Sequence, residues 1–159
     1  MHVPQANIMR NRKRFVKEIL DEKKGEKIVV GSADGEVRVI PRYHAFYADP
    51  SAKDPKEWHM TLFPTNKRIV VYQANGWLKR DKYAQLPLSE IDEIAYFQVD
   101  EDEKNVCVTE FIAPDDSRFP SIVFKLDATG HPEDLEQYLV ILKGISQLAR
   151  VKITDYSME

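Results

Sequence analysis

The hydrophobic positions change period twice along the chain. Over residues 5–24, Ile8, Phe15, Val16, Ile19 and Leu20 fall near one face at helical spacing, and Gly25 stands where a C-terminal stop belongs. This spacing predicts a helix. From Lys27 the period shortens to that of strands. Residues 27–30 form a β-branched run ended by a turn containing Asp34-Gly35, and Val37 and Val39 then alternate with Arg38 until Pro41, which together reads as a hairpin. Residues 58–63, 68–73, 84–88, 106–111 and 122–126 supply five further strands, with turn chemistry at 64–67, at Asn75-Gly76 and at 114–117. Ile91, Ile94, Tyr96 and Phe97 either continue the strand at 84–88 or add a short bend, and Asp100, Glu101, Asp102 and Glu103 read as an acidic loop.

Near the C-terminal end the helical period returns. Leu135, Tyr138, Leu139, Leu142, Ile145 and Leu148 recur at steps of three and four. Pro132 stands at the start, Glu133, Asp134 and Glu136 follow in the first turn, and Lys143, Arg150 and Lys152 lie toward the other end. These are the favourable signs for the helix dipole. A stripe of this width has to pack on something, and the open end of a β-barrel or sandwich is the natural place. Residues 42–57 break the pattern: Tyr43, Phe46 and Tyr47 precede Asp49-Pro50 and Asp54-Pro55, so an inserted loop or packed flap is expected. The fold class is therefore mainly β with α, a seven-stranded barrel or sandwich capped by a C-terminal helix, plus an N-terminal helix. The expected division is a helical extension at 1–25, the domain at 26–152 and a loose tail at 153–159.

Composition narrows the chemistry. With 159 residues and 43% hydrophobic content the chain can bury a real core as one domain. Its net charge of −3 argues against nucleic acid, because displacing counterions from phosphates calls for a cationic excess. One cysteine, Cys107, excludes an internal disulfide and a cysteine-based zinc site, and its place in an alternating apolar run makes it a packing thiol. No stretch approaches the roughly 20 apolar residues of a membrane span, and Met1–Arg14 lacks the apolar core of a secretory signal. The expected location is cytoplasmic, with peripheral membrane attachment as an extension of it. His2, His44, His59 and His131 are scattered, and only His44 with Asp49 and Asp54 makes even a loose cluster. Nucleophile elbows and glycine-rich phosphate loops are missing as well. The reading is a non-enzyme without metal or cofactor.

At Thr65-Asn66-Lys67-Arg68-Ile69-Val70-Val71-Tyr72, followed by Leu86-Pro87-Leu88-Ser89-Glu90-Ile91, the sequence resembles the pleckstrin-homology-like (PH-like) superfold, in particular GRAM, bacterial PH-like and GLUE domains. The resemblance spans residues 26–150 in outline, while its distinctive motif covers about 30 of them. Its physics is structural: a tight turn launches a buried strand, and the Ser-Glu-Ile segment bends the chain into a second sheet. The GLUE branch implies a ubiquitin-type protein partner in membrane sorting. PH-like domains that hold inositol phosphates use basic loops at the open barrel end. Here those loops carry Asp34 and Glu36, with Asp100–Glu103 or Asp115-Asp116 beside them, and Lys67, Arg68 and Arg118 compensate only in part.

Two cationic stretches remain as membrane or anion-binding candidates. Trp77 and Leu78 sit beside Lys79, Arg80 and Lys82, an indole and cations suited to an interfacial wedge; packing of Trp77 on the barrel wall is the alternative. Arg10, Arg12, Lys13 and Arg14 crowd the N-terminal helix, where a solvated face is the alternative. The leading function from sequence is a protein-binding adaptor module. Its competitors are a peripheral module for anionic membranes or phosphoinositides and an oligomeric structural protein using the 42–57 flap.

Overall fold

The computed structural model describes residues 5–28, 44–46, 61–74, 82–101 and 104–157. Within them the chain is mainly β, with two sheets, a C-terminal helix and an N-terminal helix, the architecture expected from the sequence. Helix α1 spans Gln5–Glu18 and a 3-10 turn follows at Glu22–Lys24. The strands are β1 (His44–Phe46), β2 (Thr61–Pro64), β3 (Arg68–Gln73), β4 (Lys82–Pro87), β5 (Glu93–Glu101), β6 (Lys104–Ile112) and β7 (Ile122–Asp127). Helix α2 (Pro132–Ala149) and strand β8 (Ile153–Asp155) complete the order.

One sheet runs β2-β3-β4 and the other β1-β7-β6-β5-β8, all antiparallel except β8, which lies parallel to β5. Side-chain alternation sorts each strand between two cores. Leu62, Ile69, Val71, Ala84 and Leu86 of the smaller sheet meet Ile94, Tyr96, Cys107, Phe111, Ile122, Phe124 and Leu126 of the larger. Helix α2 closes that space with Tyr138, Ile141, Leu142 and Ile145. On the other face of the smaller sheet, Phe63, Val70 and Tyr72 form a second core with Phe15 of α1. Strand β3 is thus covered on both sides, which is why Ile69-Val70-Val71-Tyr72 reads as an unbroken apolar run.

Several expectations change in detail. The first helix ends at Glu18, because the backbone tightens into the 3-10 turn before Gly25 stops it in the left-handed region at φ 78°. The segment expected to be a loop at 42–57 contains β1, paired to β7 through Ala45 opposite Phe124. The segment 84–97 is not one strand: a 3-10 turn at Leu88–Glu90 separates β4 from β5 and sends the chain from one sheet to the other. Asp100 and Glu101 are strand residues opposite Asn105 and Lys104, so the acidic stretch is a hairpin end. The tail at 153–159 contains β8, tied further by Tyr156 N–H to the Tyr96 carbonyl at 2.8 Å.

The inner face of α2 also turns from the expected stripe. Leu139 and Leu148 stay 39% and 49% exposed, and Ile141 takes a buried place instead. Residues 138, 141, 142 and 145 share one arc of a 3.6-residue repeat, whereas 139 and 148 lie at its margins. The helix ends with Arg150 in the left-handed conformation at φ 58°. Of the predicted hairpin at 27–39, only Lys27 and Ile28 are described, with Ile28 bridged to Thr65; the remainder lies outside the described residues.

Candidate functional site

The Thr65–Arg68 turn is the joint that fixes the N-terminal segment to the β body. Thr65 Oγ1 accepts from the backbone N–H groups of Lys67 (3.1 Å) and Arg68 (3.0 Å), a local hydroxyl turn. Asn66 reads the chain at 25–27 as a strand would: its Oδ1 accepts from Lys27 N–H at 2.9 Å, and its Nδ2 donates to the Gly25 carbonyl at 3.1 Å. Arg68 then reaches under α1. Its Nε and Nη2 donate to the two carboxylate oxygens of Glu26 at 2.8 and 2.9 Å, Nη2 also donates to the Ile19 carbonyl, and Nη1 donates to Gln85 Oε1 at 2.7 Å. Burial by itself would push the Glu26 carboxyl up. The Arg68 hydrogen bonds, the Asp21 N–H, the Thr65 hydroxyl and the Arg68 charge outweigh it and hold the group below its ordinary value. Arg68 is therefore committed to structure and unavailable to an anion in solution.

Further up the helix, Asn11 performs a second clamp. Its side chain is buried, donates to Thr61 Oγ1 at 2.9 Å and accepts from Ala74 N–H at 2.9 Å. One amide thus holds the start of β2 and the end of β3. Arg10 Nη2 adds a bond to the Ala74 carbonyl at 3.2 Å. One turn on, the Phe15 ring stacks on Phe63 with centroids 4.4 Å apart and planes within 7°, and tilts against Tyr72 at 6.2 Å.

With Asn11 and Phe15 facing inward and Val16 half-buried beside them, the cationic side chains of α1 face water. Arg10, Arg12, Lys13, Arg14 and Lys17 are all exposed, against one acidic residue, Glu18, which pairs with Arg14 at 3.5 Å. A chain of net charge −3 therefore concentrates positive charge on one docked helix.

Of the sequence-selected residues, Arg10, Arg12, Lys13 and Arg14 lie together on this helix. Lys82 enters β4 opposite Gln73, and Trp77, Lys79 and Arg80 lie outside the described residues. The ends of the stretch that contains them are fixed, however. The chain is last described at Ala74, which Asn11 and Arg10 hold, and resumes at Lys82. Arg118 is exposed and lies 5.0 Å over the Phe119 ring, and Lys67 is exposed at the turn. Asp34 and Glu36 lie outside the described residues.

Sequence reasoning missed Asn11 and Glu26. A polar residue on the inner face of an amphipathic helix, at the i−4 position from Phe15, was the signal for the first. The second had none, since its partner stands 42 residues away.

Cys107 is fully buried, and desolvation pushes its thiol up to about 12 against smaller lowering contributions from hydrogen bonds to Tyr96 and Leu126. His131 precedes α2 and lies 3.4 Å from Glu133. Among the described residues no group of three His, Cys, Asp or Glu side chains converges as a metal site, and no helix is long and apolar enough to cross a membrane.

No protein-family model matches the chain, and no curated protein does. Among solved structures it is similar to the Vps36 N-terminal PH domain, with a TM-score of 0.33 and 12% identity, over 76% of this chain and 96% of that one. A likeness that distant carries no argument about function.

Proposed function

We propose that this chain is a non-catalytic recognition module that docks peripherally on anionic membrane through the outer face of α1 and the cationic stretch leading into β4. The observation that carries this reading is the Asn11–Ala74 clamp with its Arg10 contact, which docks α1 on the sheet and leaves Arg10, Lys13, Arg14 and Lys17 exposed on its other side. A lysine or arginine near an anionic bilayer contributes roughly 1 kcal/mol, so several on one face suffice for reversible attachment. Flotation with phosphatidylserine vesicles tests it. Binding is expected to anionic but not to neutral vesicles, and to fall as salt is raised from about 0.1 M to about 1 M, which shortens the screening length from about 10 Å to about 3 Å. Equal recovery on neutral vesicles, or none on anionic ones, ends the reading.

A protein-binding adaptor role is the second reading, favoured by α2. Its outer face keeps Leu139, Val140 and Leu148 at 39%, 44% and 49% exposure, more aliphatic surface than a solvated helix needs. The GLUE resemblance makes a ubiquitin-type protein the first bait. Binding of ubiquitin by the wild type that is lost in Val140→Asp supports this role; no binding of ubiquitin counts against it.

A further inference from the structure

A cleft of about 470 Å³ opens between α1 and the segment that runs from its 3-10 turn to Ile28, within the range of small-molecule sites. Its lining has a head and a tail. Val16, Leu20 and Ile28 are half-buried and give it an apolar wall, and Arg12 and Lys27 bring two exposed cations against one exposed anion, Glu22. Arg12, Val16 and Leu20 follow one another at steps of four, the row next to Asn11 and Phe15 that faces the sheet. The remaining carboxylate at the cleft, Glu26, is already neutralised by Arg68 at 2.8 Å. Among the described residues, the side chains of Arg12 and Lys27 have no ion pair or hydrogen bond of their own.

We infer that this cleft holds one molecule of an anionic amphiphile, an alkyl chain against Val16, Leu20 and Ile28 with its phosphate or carboxylate between Arg12 and Lys27. An apolar wall open to water gains from covering by hydrocarbon, and unpaired cations beside it gain from an anion, so one ligand satisfies both. The Thr65–Arg68 joint holds the 25–27 wall in place without using either cation. The inference goes beyond surface docking, since it needs no bilayer.

Calorimetry with the full chain tests it, using dodecyl phosphate kept monomeric, with dodecyl maltoside and inorganic phosphate for comparison. One saturable site for dodecyl phosphate is expected, at least about tenfold tighter than for the neutral maltoside, with no binding of inorganic phosphate. Arg12→Ala with Lys27→Ala weakens it about tenfold or more, Leu20→Asn weakens it independently, and Glu22→Gln tightens it. No saturable site, or equal affinity in wild type and the Arg12/Lys27 variant, overturns the inference. Vesicle flotation of the loaded protein assigns the source, and either outcome supports a site already seen by calorimetry. Displacement from phosphatidylserine vesicles marks a lipid headgroup; continued flotation marks a free amphiphile. Failure of calorimetry with flotation intact removes the cleft ligand and leaves the surface reading standing.

Discussion

Arg68 and Glu26, 42 residues apart, meet as a two-point ion pair, Nε to Oε2 at 2.8 Å and Nη2 to Oε1 at 2.9 Å, beneath the N-terminal helix. The carboxylate is almost fully buried and also accepts from Thr65 Oγ1 at 2.8 Å and Asp21 N–H at 2.9 Å. An ion pair taken out of water holds only when its remaining acceptors are filled in this way. Glu26→Ala strands the guanidinium and is expected to destabilise the fold by about 3 kcal/mol, whereas Glu26→Met combined with Arg68→Met recovers much of that loss. Urea denaturation of the three proteins checks it.

The same pair sets a pH dependence. The folded Glu26 pKa lies below the ordinary 4.5, so the unfolded chain binds the proton more readily. The stabilisation is complete above about pH 4.5 and is lost as the pH falls through the folded value. Denaturation midpoints measured down through the acid range should fall in the wild type and fall less steeply in Glu26→Gln.

Asn11→Ala leaves the Thr61 hydroxyl and the Ala74 N–H without their partner. The expected cost is about 2 kcal/mol, and Phe15→Ala, which empties the stacked site on Phe63, costs about 3–5 kcal/mol. In both variants, hydrogen exchange should rise first in α1 and at Ala74, with the β5-β6 amides protected. Uniform loss of protection would show that α1 is not a separable layer.

Cys107 should be inert in the native state. It is fully buried, with its thiol pushed up to about 12, so a disulfide reagent at mildly alkaline pH labels it only as fast as the protein opens. One equivalent reacts at once in denaturant.

Much of this architecture could be read from residues alone. The turn at Thr65–Arg68 and the apolar run after it pointed to a buried strand, and Pro132 with its acidic first turn marked the start of α2. Alternation placed Cys107, Phe111, Phe124 and Leu126 inside. Short elements were lost, because a three-residue strand has almost no period of its own. His44–Phe46 stands among turn-forming residues, and Ile153–Asp155 gains its order from β5. The docking of α1 was hidden for another reason: beside the Phe15–Phe63 stack, the bonds that fix it are polar and distant in sequence, from Asn11 to Thr61 and Ala74 and from Arg68 to Glu26 and Ile19. The cationic residues of α1 were visible, but not that Asn11 and Phe15 would turn them outward together.

Attachment of the outer face of α1 to anionic bilayer, as proposed, is read by the partition coefficient on phosphatidylserine vesicles. Wild type is compared with Lys13→Ala, Arg14→Ala and Lys17→Ala combined, exposed positions that leave Asn11, Phe15 and the cleft cations untouched. Losing three cations at roughly 1 kcal/mol each predicts about a hundredfold drop, with the thermal midpoint nearly unchanged. An unchanged partition coefficient in a folded variant would mean that this face of α1 does not bind the bilayer.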